Sequence, residues 1–136
     1  MGAYVRLFDG RGRVLLTQFE HDYPDSGSWN LPGGGMEWGE QPEDTARREL
    51  FEETGLTATV GPVLGFQSNW ITAEESWQGG PGHTLAIVFA ATNPSGELRT
   101  EYPAEDSTVA AAWFDLADVR SLPRVDLVDT ALAFPG

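Results

Sequence analysis

Residues 3–8 alternate inward and outward with the period of a strand, and residues 13–19 repeat the pattern after the turn Asp9-Gly10-Arg11-Gly12. A polar loop follows over 21–28, containing Pro24 and Gly27, and Trp29-Asn30-Leu31-Pro32 then reads as a short extended segment. Beyond residue 56 the pattern is again β-rich over 57–66, with Gly61-Pro62 marking a bulge or break. Residues 67–82 read as a long connection ending in Gly79-Gly80-Pro81-Gly82. The nearly continuous apolar run over 84–92 predicts a central strand, and Asn93-Pro94-Ser95-Gly96 predicts a turn after it. A late strand over 110–114, a short helix over 115–121 and a last helix over 125–133 complete the chain. Val125, Leu127, Val128 and Leu132 are the inward positions of that last helix, and Trp29, Phe66 and Trp113 are expected in the core. The whole reads as one compact mixed α/β domain over residues 1–136, without repeat or linker.

Between the two β-rich halves the period changes. At about 100° per residue, Glu53 lies about 40° and Glu52 about −60° from Glu49, so three acids share one narrow helical face. Like charges three and four apart destabilise an isolated helix by a few tenths of a kcal/mol each, about 0.2–0.5. An exposed acidic face accounts for the acids alone, but the flanking residues point to a built site. Pro42 suits the first helical turn, Glu43 and Asp44 sit at the positive end of the helix dipole, and Gly55 is placed for a left-handed cap. Ala46 and Leu50 flank the acids and can pack inward, while Arg48 precedes Glu52 by four residues and can pair with it. The run Gly33-Gly34-Gly35 supplies backbone able to approach a ligand closely. Clustered carboxylates suit a hard cation such as Mg²⁺, which takes oxygen ligands.

Composition narrows the classes. The 136 residues carry a net charge of −13, which repels nucleic acid backbones and anionic membrane surfaces. A phosphorylated substrate then needs local neutralisation by divalent metal and a few arginines, the chain having no lysine. The absence of cysteine excludes disulfides and thiol chemistry and is compatible with a reducing cytosol. No apolar run approaches the roughly 20 residues of a membrane span, and the start shows no secretory signal, so a cytoplasmic protein is expected.

The segment from Gly34 to Leu56 resembles the signature box of the Nudix hydrolases, MutT-like proteins among them. It matches at Gly34, Glu40, Arg48, Glu49, Leu50, Glu52, Glu53, Gly55 and Leu56, about a sixth of the chain. The flanking order of strands and helices is also similar to that family. The resemblance implies an α/β/α sandwich with a mixed β-sheet, the box forming loop-helix-loop. It implies divalent-metal-dependent hydrolysis of a nucleoside diphosphate linked to another moiety, by water attack at phosphorus. Glu49, Glu52 and Glu53 are then the metal ligands, with Arg48 orienting them and a backbone carbonyl of Gly33 or Gly34 completing the shell. The cofactor implied is Mg²⁺, with Mn²⁺ as a substitute. Glu40 takes a supporting role. Glu53 is the default general base, with Glu101, Glu105 and Asp106 as downstream candidates. The chain departs from many relatives in having Ser107 to Ala112, with no acid, before Trp113.

Substrate choice lies outside the box. Trp70 and Trp77, in the expected connection, are candidates for stacking on a nucleobase, with core capping or a dimer contact as the alternative. His83 is a candidate substrate contact, and Arg6 and Arg13 candidates for meeting phosphates from a sheet edge. The proline that marks many ADP-ribose hydrolases, the tyrosine of dinucleoside polyphosphate hydrolases and the cysteine of the isomerase branch are all missing. The expected partner is a small nucleotide, with a homodimer as the self-association considered. Neither a membrane nor long nucleic acid is expected. The alternative class is a catalytically silent nucleotide-binding module acting as sensor or partner domain.

Overall fold

The computed structural model describes residues 1–20, 26–71 and 82–136. Strands β1 (Gly2–Leu7) and β2 (Val14–Phe19) follow the alternating segments, joined by a turn in which the Asp9 carboxylate accepts from the Arg11 and Arg13 amides. Arg13 itself pairs with Asp9 at 2.6 Å, which occupies it locally. The short strands β3 (Trp29–Asn30) and β4 (Gly33–Gly35) lead to helix α1 (Pro42–Thr54). Strands β5 (Leu56–Ile71), β6 (Gly82–Gly96) and β7 (Thr108–Phe114) and helices α2 (Leu116–Val119) and α3 (Asp126–Ala133) complete the order.

A four-stranded sheet runs β4-β1-β6-β5 and a three-stranded sheet β3-β2-β7. The β1–β6 pair is parallel and all the others are antiparallel, so the larger sheet is mixed. Alternation sends successive side chains to opposite faces. Ala3, Val5, Leu7, Ile87 and Phe89 pack with Ala46 and Leu50 of α1. Ala86, Val88, Val14 and Leu16 pack on the other side with Leu127, Val128 and Ala131 of α3. Helix, sheets and helix thus form the layers that the resemblance implied.

Several expected boundaries shift. Residues 67–71 continue β5 instead of starting a connection, because Gln67 through Ile71 pair in register with Ala86 through Gly82. The turn expected at 93–96 is instead a bulge. Ser95 pairs with Thr57 and Thr92 with Thr59, so β6 spends an extra residue there, with Asn93 at φ 57°. The opposite bulge falls at Gly61-Pro62, where the register shifts between Val60 and Val63. Trp29 and Trp113 pack against the two core clusters, but Phe66 is 57% exposed: β5 is an edge strand and leaves that ring with neighbours on one side only. Trp77 lies outside the described residues. No described helix is long and apolar enough to cross a membrane.

Candidate active site

The box folds as loop-helix-loop because each end of α1 is specified. Pro42 occupies the first turn, where no amide donor is needed. Gly55 stops the helix at φ 78°, its amide closing on the Phe51 carbonyl. Between these ends Ala46 and Leu50 bury into the sheet, which fixes the rotation of the helix about its axis. That rotation presents Glu49, Glu52 and Glu53 to an open pocket of about 460 Å³, lined also by Arg99, Glu105, Asp106, Ser107 and Thr108.

Each acid has a different setting. Glu53 is the most enclosed: it accepts from the Gly33 amide at 2.8 Å and from the Thr108 hydroxyl at 3.3 Å. Burial pushes its carboxyl up to about 8, with the negative charge of Glu49 adding to the effect and the two hydrogen bonds opposing it. Burial also raises Glu49, against the counter-pull of Arg48. The Glu49 carboxylate lies against Gly34, where a Cβ would stand 2.8 Å from its carboxyl carbon. Glu52 is more open to water and reaches Arg48 Nη1 at 3.2 Å.

Arg48 is the hub of the site. Its Nη1 donates to both Glu49 (3.0 Å) and Glu52 (3.2 Å), and its Nη2 to the Gly35 carbonyl. Nε and Nη2 grip the two oxygens of Glu40 at 2.8 and 3.0 Å, a bidentate pair. Glu40 also accepts from the Thr45 hydroxyl and the Glu37 amide, and these bonds hold its carboxyl down at about 2. Among the described residues, no three His, Cys, Asp or Glu side chains converge closely enough to hold a metal ion. The three box acids share a pocket, not a point, and the guanidinium of Arg48 stands between two of them.

The candidates outside the box separate clearly. Glu105 and Asp106 line the acidic pocket, whereas Glu101 does not. Arg6 is not at a sheet edge: β1 lies between β4 and β6, and Arg6 is only 5% exposed. Its guanidinium donates to the carbonyls of Ala131, Phe134 and Gly136 at 3.0, 2.7 and 3.0 Å, a structural clasp that leaves no phosphate role. Trp70 is 77% exposed and stacks on His83 with ring centroids 3.9 Å apart, away from the lining of the described pockets. Sequence reasoning missed Arg99, Tyr102 and Thr108. Arg99 and Tyr102 reach the Glu52 and Glu53 carbonyls from the segment before β7, and Thr108, the first residue of β7, reaches the Glu53 carboxylate; the separations of 47, 49 and 55 residues leave no local pattern to announce them.

A family model, the NUDIX domain, matches residues 1–131, and the chain belongs to the Nudix hydrolase family. Among solved structures it is similar to a MutT NUDIX hydrolase from Burkholderia pseudomallei, with a TM-score of 0.80 and 31% identity over 99% of this chain and 96% of that one. It is 27% identical to an RNA pyrophosphohydrolase of Roseobacter denitrificans over 96% of this chain and 80% of the relative. It is 34% identical to an ADP-ribose pyrophosphatase of Methanocaldococcus jannaschii over 88% of this chain and 62% of the relative.

Proposed function

We propose that the chain hydrolyses a nucleoside diphosphate linked to a further group, with water attacking a phosphorus atom and a divalent cation as cofactor. The observation that carries this reading is the pocket in which α1 gathers Glu49, Glu52 and Glu53 beside the bare backbone of Gly33 and Gly34. The donor set is all oxygen, which fits a hard cation, and the raised carboxyls of Glu49 and Glu53 mark a place short of positive charge. Glu49, Glu52, Glu53 and a Gly33 or Gly34 carbonyl are the groups that would hold Mg²⁺ or Mn²⁺. Bound there, such an ion neutralises diphosphate charge and polarises a phosphoryl oxygen.

The chain's own residues supply positioning and proton transfer. Glu40 fixes the plane of Arg48, and Arg48 orients Glu49 and Glu52. Glu53, raised to about 8 by burial, is ionised above that pH or once a cation stands beside it. In that form it is the acceptor of a proton from the attacking water, with Glu105 and Asp106 as the other acceptors on the pocket wall. A second pocket of about 720 Å³, lined by Tyr4, Phe19, Asn30, Gln67, Asn69 and Asp126 among others, has the aromatic rings and amides to receive the nucleoside half. Asn30 Oδ1 already accepts from the Leu31 amide, which leaves its NH₂ as a donor for a ligand.

Two of the relatives named above carry names that point to different substrates, RNA and ADP-ribose, so the substrate is sought by panel. Oxidised and ordinary dNTPs, ADP-ribose, NADH, dinucleoside polyphosphates, nucleotide sugars and 5′-triphosphorylated RNA are incubated with Mg²⁺ or Mn²⁺ and the products identified. Metal-dependent release of a nucleoside monophosphate, pyrophosphate or phosphate is expected from at least one. A protein that turned over none of them but was thermally stabilised by a nucleotide would instead be a binding module.

A further inference from the structure

Resting on the hydrolase reading above, we propose that Arg99 binds a phosphate oxygen of the substrate, giving up a loose ion pair with Asp106 to do so. Five carboxylates line the acidic pocket: Glu49, Glu52, Glu53, Glu105 and Asp106. Arg99 is the one cationic side chain among the lining residues. Arg48, the other nearby cation, is already spent on Glu40, Glu49 and Glu52. A polyanionic substrate entering this pocket meets net repulsion that a divalent ion at the box only partly offsets, so a second positive group facing the phosphates lowers the cost of binding.

Arg99 is placed in advance for that contact. Its backbone amide donates to the Thr54 carbonyl at 2.8 Å, which ties it to the end of α1. Nη1 donates to the Glu52 carbonyl and Nη2 to the Glu101 carbonyl. The guanidinium lies 4.3 Å over the Tyr102 ring, and the Tyr102 hydroxyl donates to the Glu53 carbonyl. The cation therefore hangs from the main chain of Glu52 directly and of Glu53 through Tyr102, two of the three acids that face the pocket, so its position relative to them is fixed. These anchors use two of the five N–H donors of a guanidinium.

The remaining partner is weak. Asp106 stands 3.9 Å from Nη2, beyond hydrogen-bond length, with both side chains partly open to water at 31% and 39%. An open pair of this kind contributes little, and a phosphate oxygen at hydrogen-bond distance displaces it readily. The same exchange releases the Asp106 carboxylate on the pocket wall.

The test uses methylenediphosphonate, a non-hydrolysable diphosphate, with Mg²⁺, so that no choice of nucleobase is needed. Titration calorimetry of the parent, Arg99→Gln and Arg99→Lys is paired with steady-state kinetics on a panel nucleotide and with melting curves. Arg99→Gln is expected to raise Kd and KM about 10- to 100-fold with a smaller change in kcat, the signature of a ground-state contact. Arg99→Lys, which keeps the charge, is expected to recover part of the affinity. The proposal is overturned by a parent that does not bind methylenediphosphonate. It is equally overturned by Arg99 variants whose melting temperature or kcat falls while Kd and KM stay unchanged, since Arg99 would then only clamp its loop. Arg99-dependent binding by a parent that hydrolyses nothing leaves the contact standing and removes the hydrolase reading.

Discussion

Replacing Arg6 by methionine isolates the clasp at the far side of the sheet from α1. The substitution keeps an unbranched apolar stem and deletes three N–H···O bonds, to Ala131 (3.0 Å), Phe134 (2.7 Å) and Gly136 (3.0 Å). Nε has no hydrogen-bond partner, so nothing is lost at that point of the stem. Bonds from a charged donor contribute about 1.5–3 kcal/mol each. Against that sum stands the cost of burying the guanidinium, the same burial that holds its pKa below the ordinary arginine value. The Phe134 and Gly136 carbonyls can turn to water, while the Ala131 carbonyl keeps the Phe134 amide as a donor at 3.3 Å, so no acceptor is left wholly unpaired. The net expected loss is about 2–4 kcal/mol, or roughly 6–15 °C in melting temperature for a chain of this length. Urea unfolding followed by circular dichroism measures it, with KM determined well below the transition. Arg6→Lys should recover little, because one ammonium cannot span three carbonyls. A loss under about 0.5 kcal/mol with an unchanged denaturant slope would refute the clasp. A raised KM at unchanged stability would return Arg6 to the substrate.

Glu53 links pH to both stability and turnover. Its folded carboxyl titrates at about 8 against an ordinary 4.5, so the folded chain keeps a proton that the unfolded chain has lost. Metal-free stability should therefore fall as pH rises between those values, by up to roughly 5 kcal/mol; a Glu53→Gln protein, or saturating Mg²⁺, should flatten that slope in melting curves. The same variant should hydrolyse at least about 100-fold more slowly, and parent-like turnover would exclude Glu53 as the base. Gly34→Ala should cost little stability, since the Glu49 side chain can swing from the new methyl, yet lower kcat/KM at least about tenfold by displacing that carboxylate. Glu40 has the opposite sign to Glu53: held down at about 2, it stabilises the fold above its ordinary 4.5, and that contribution disappears as pH falls through about 2. Acid unfolding of Glu40→Gln should lack this limb, and an unchanged acid midpoint would show that the Arg48 pair does not stabilise the fold.

What was legible in the chain was what lies close along it. The helix, its caps and the shared face of Glu49, Glu52 and Glu53 follow from pitch and short spacing, and the alternating strands follow from the period of two. The pairing of Arg48 with Glu52 was readable for the same reason, whereas its tighter grip on Glu40 spans eight residues and a turn. Arg6 read as a phosphate candidate at a sheet edge because its partners lie at least 125 residues away. Arg99 and Tyr102 carry no motif; their meaning comes from a loop folding back on the end of α1. The turn residues at 93–96 gave a correct signal of irregular backbone, but Gly and Pro do not distinguish a chain reversal from a bulge within a pairing strand.

Helix α1 interleaves two jobs within one pitch: Ala46 and Leu50 bind it to the core while Glu49, Glu52 and Glu53 face the pocket. Adding or deleting one residue inside the helix would turn everything beyond it by about 100° and slide it by about 1.5 Å. Acids would then point into the sheet and apolar residues into solvent, a double failure that no single compensating substitution repairs. The length of this segment is consequently far less free than its spelling. Individual positions such as Arg47 or Phe51, on the outer face, are open to exchange, while an insertion would be tolerated only ahead of the helix, between β4 and Glu40, because β5 begins directly after Gly55.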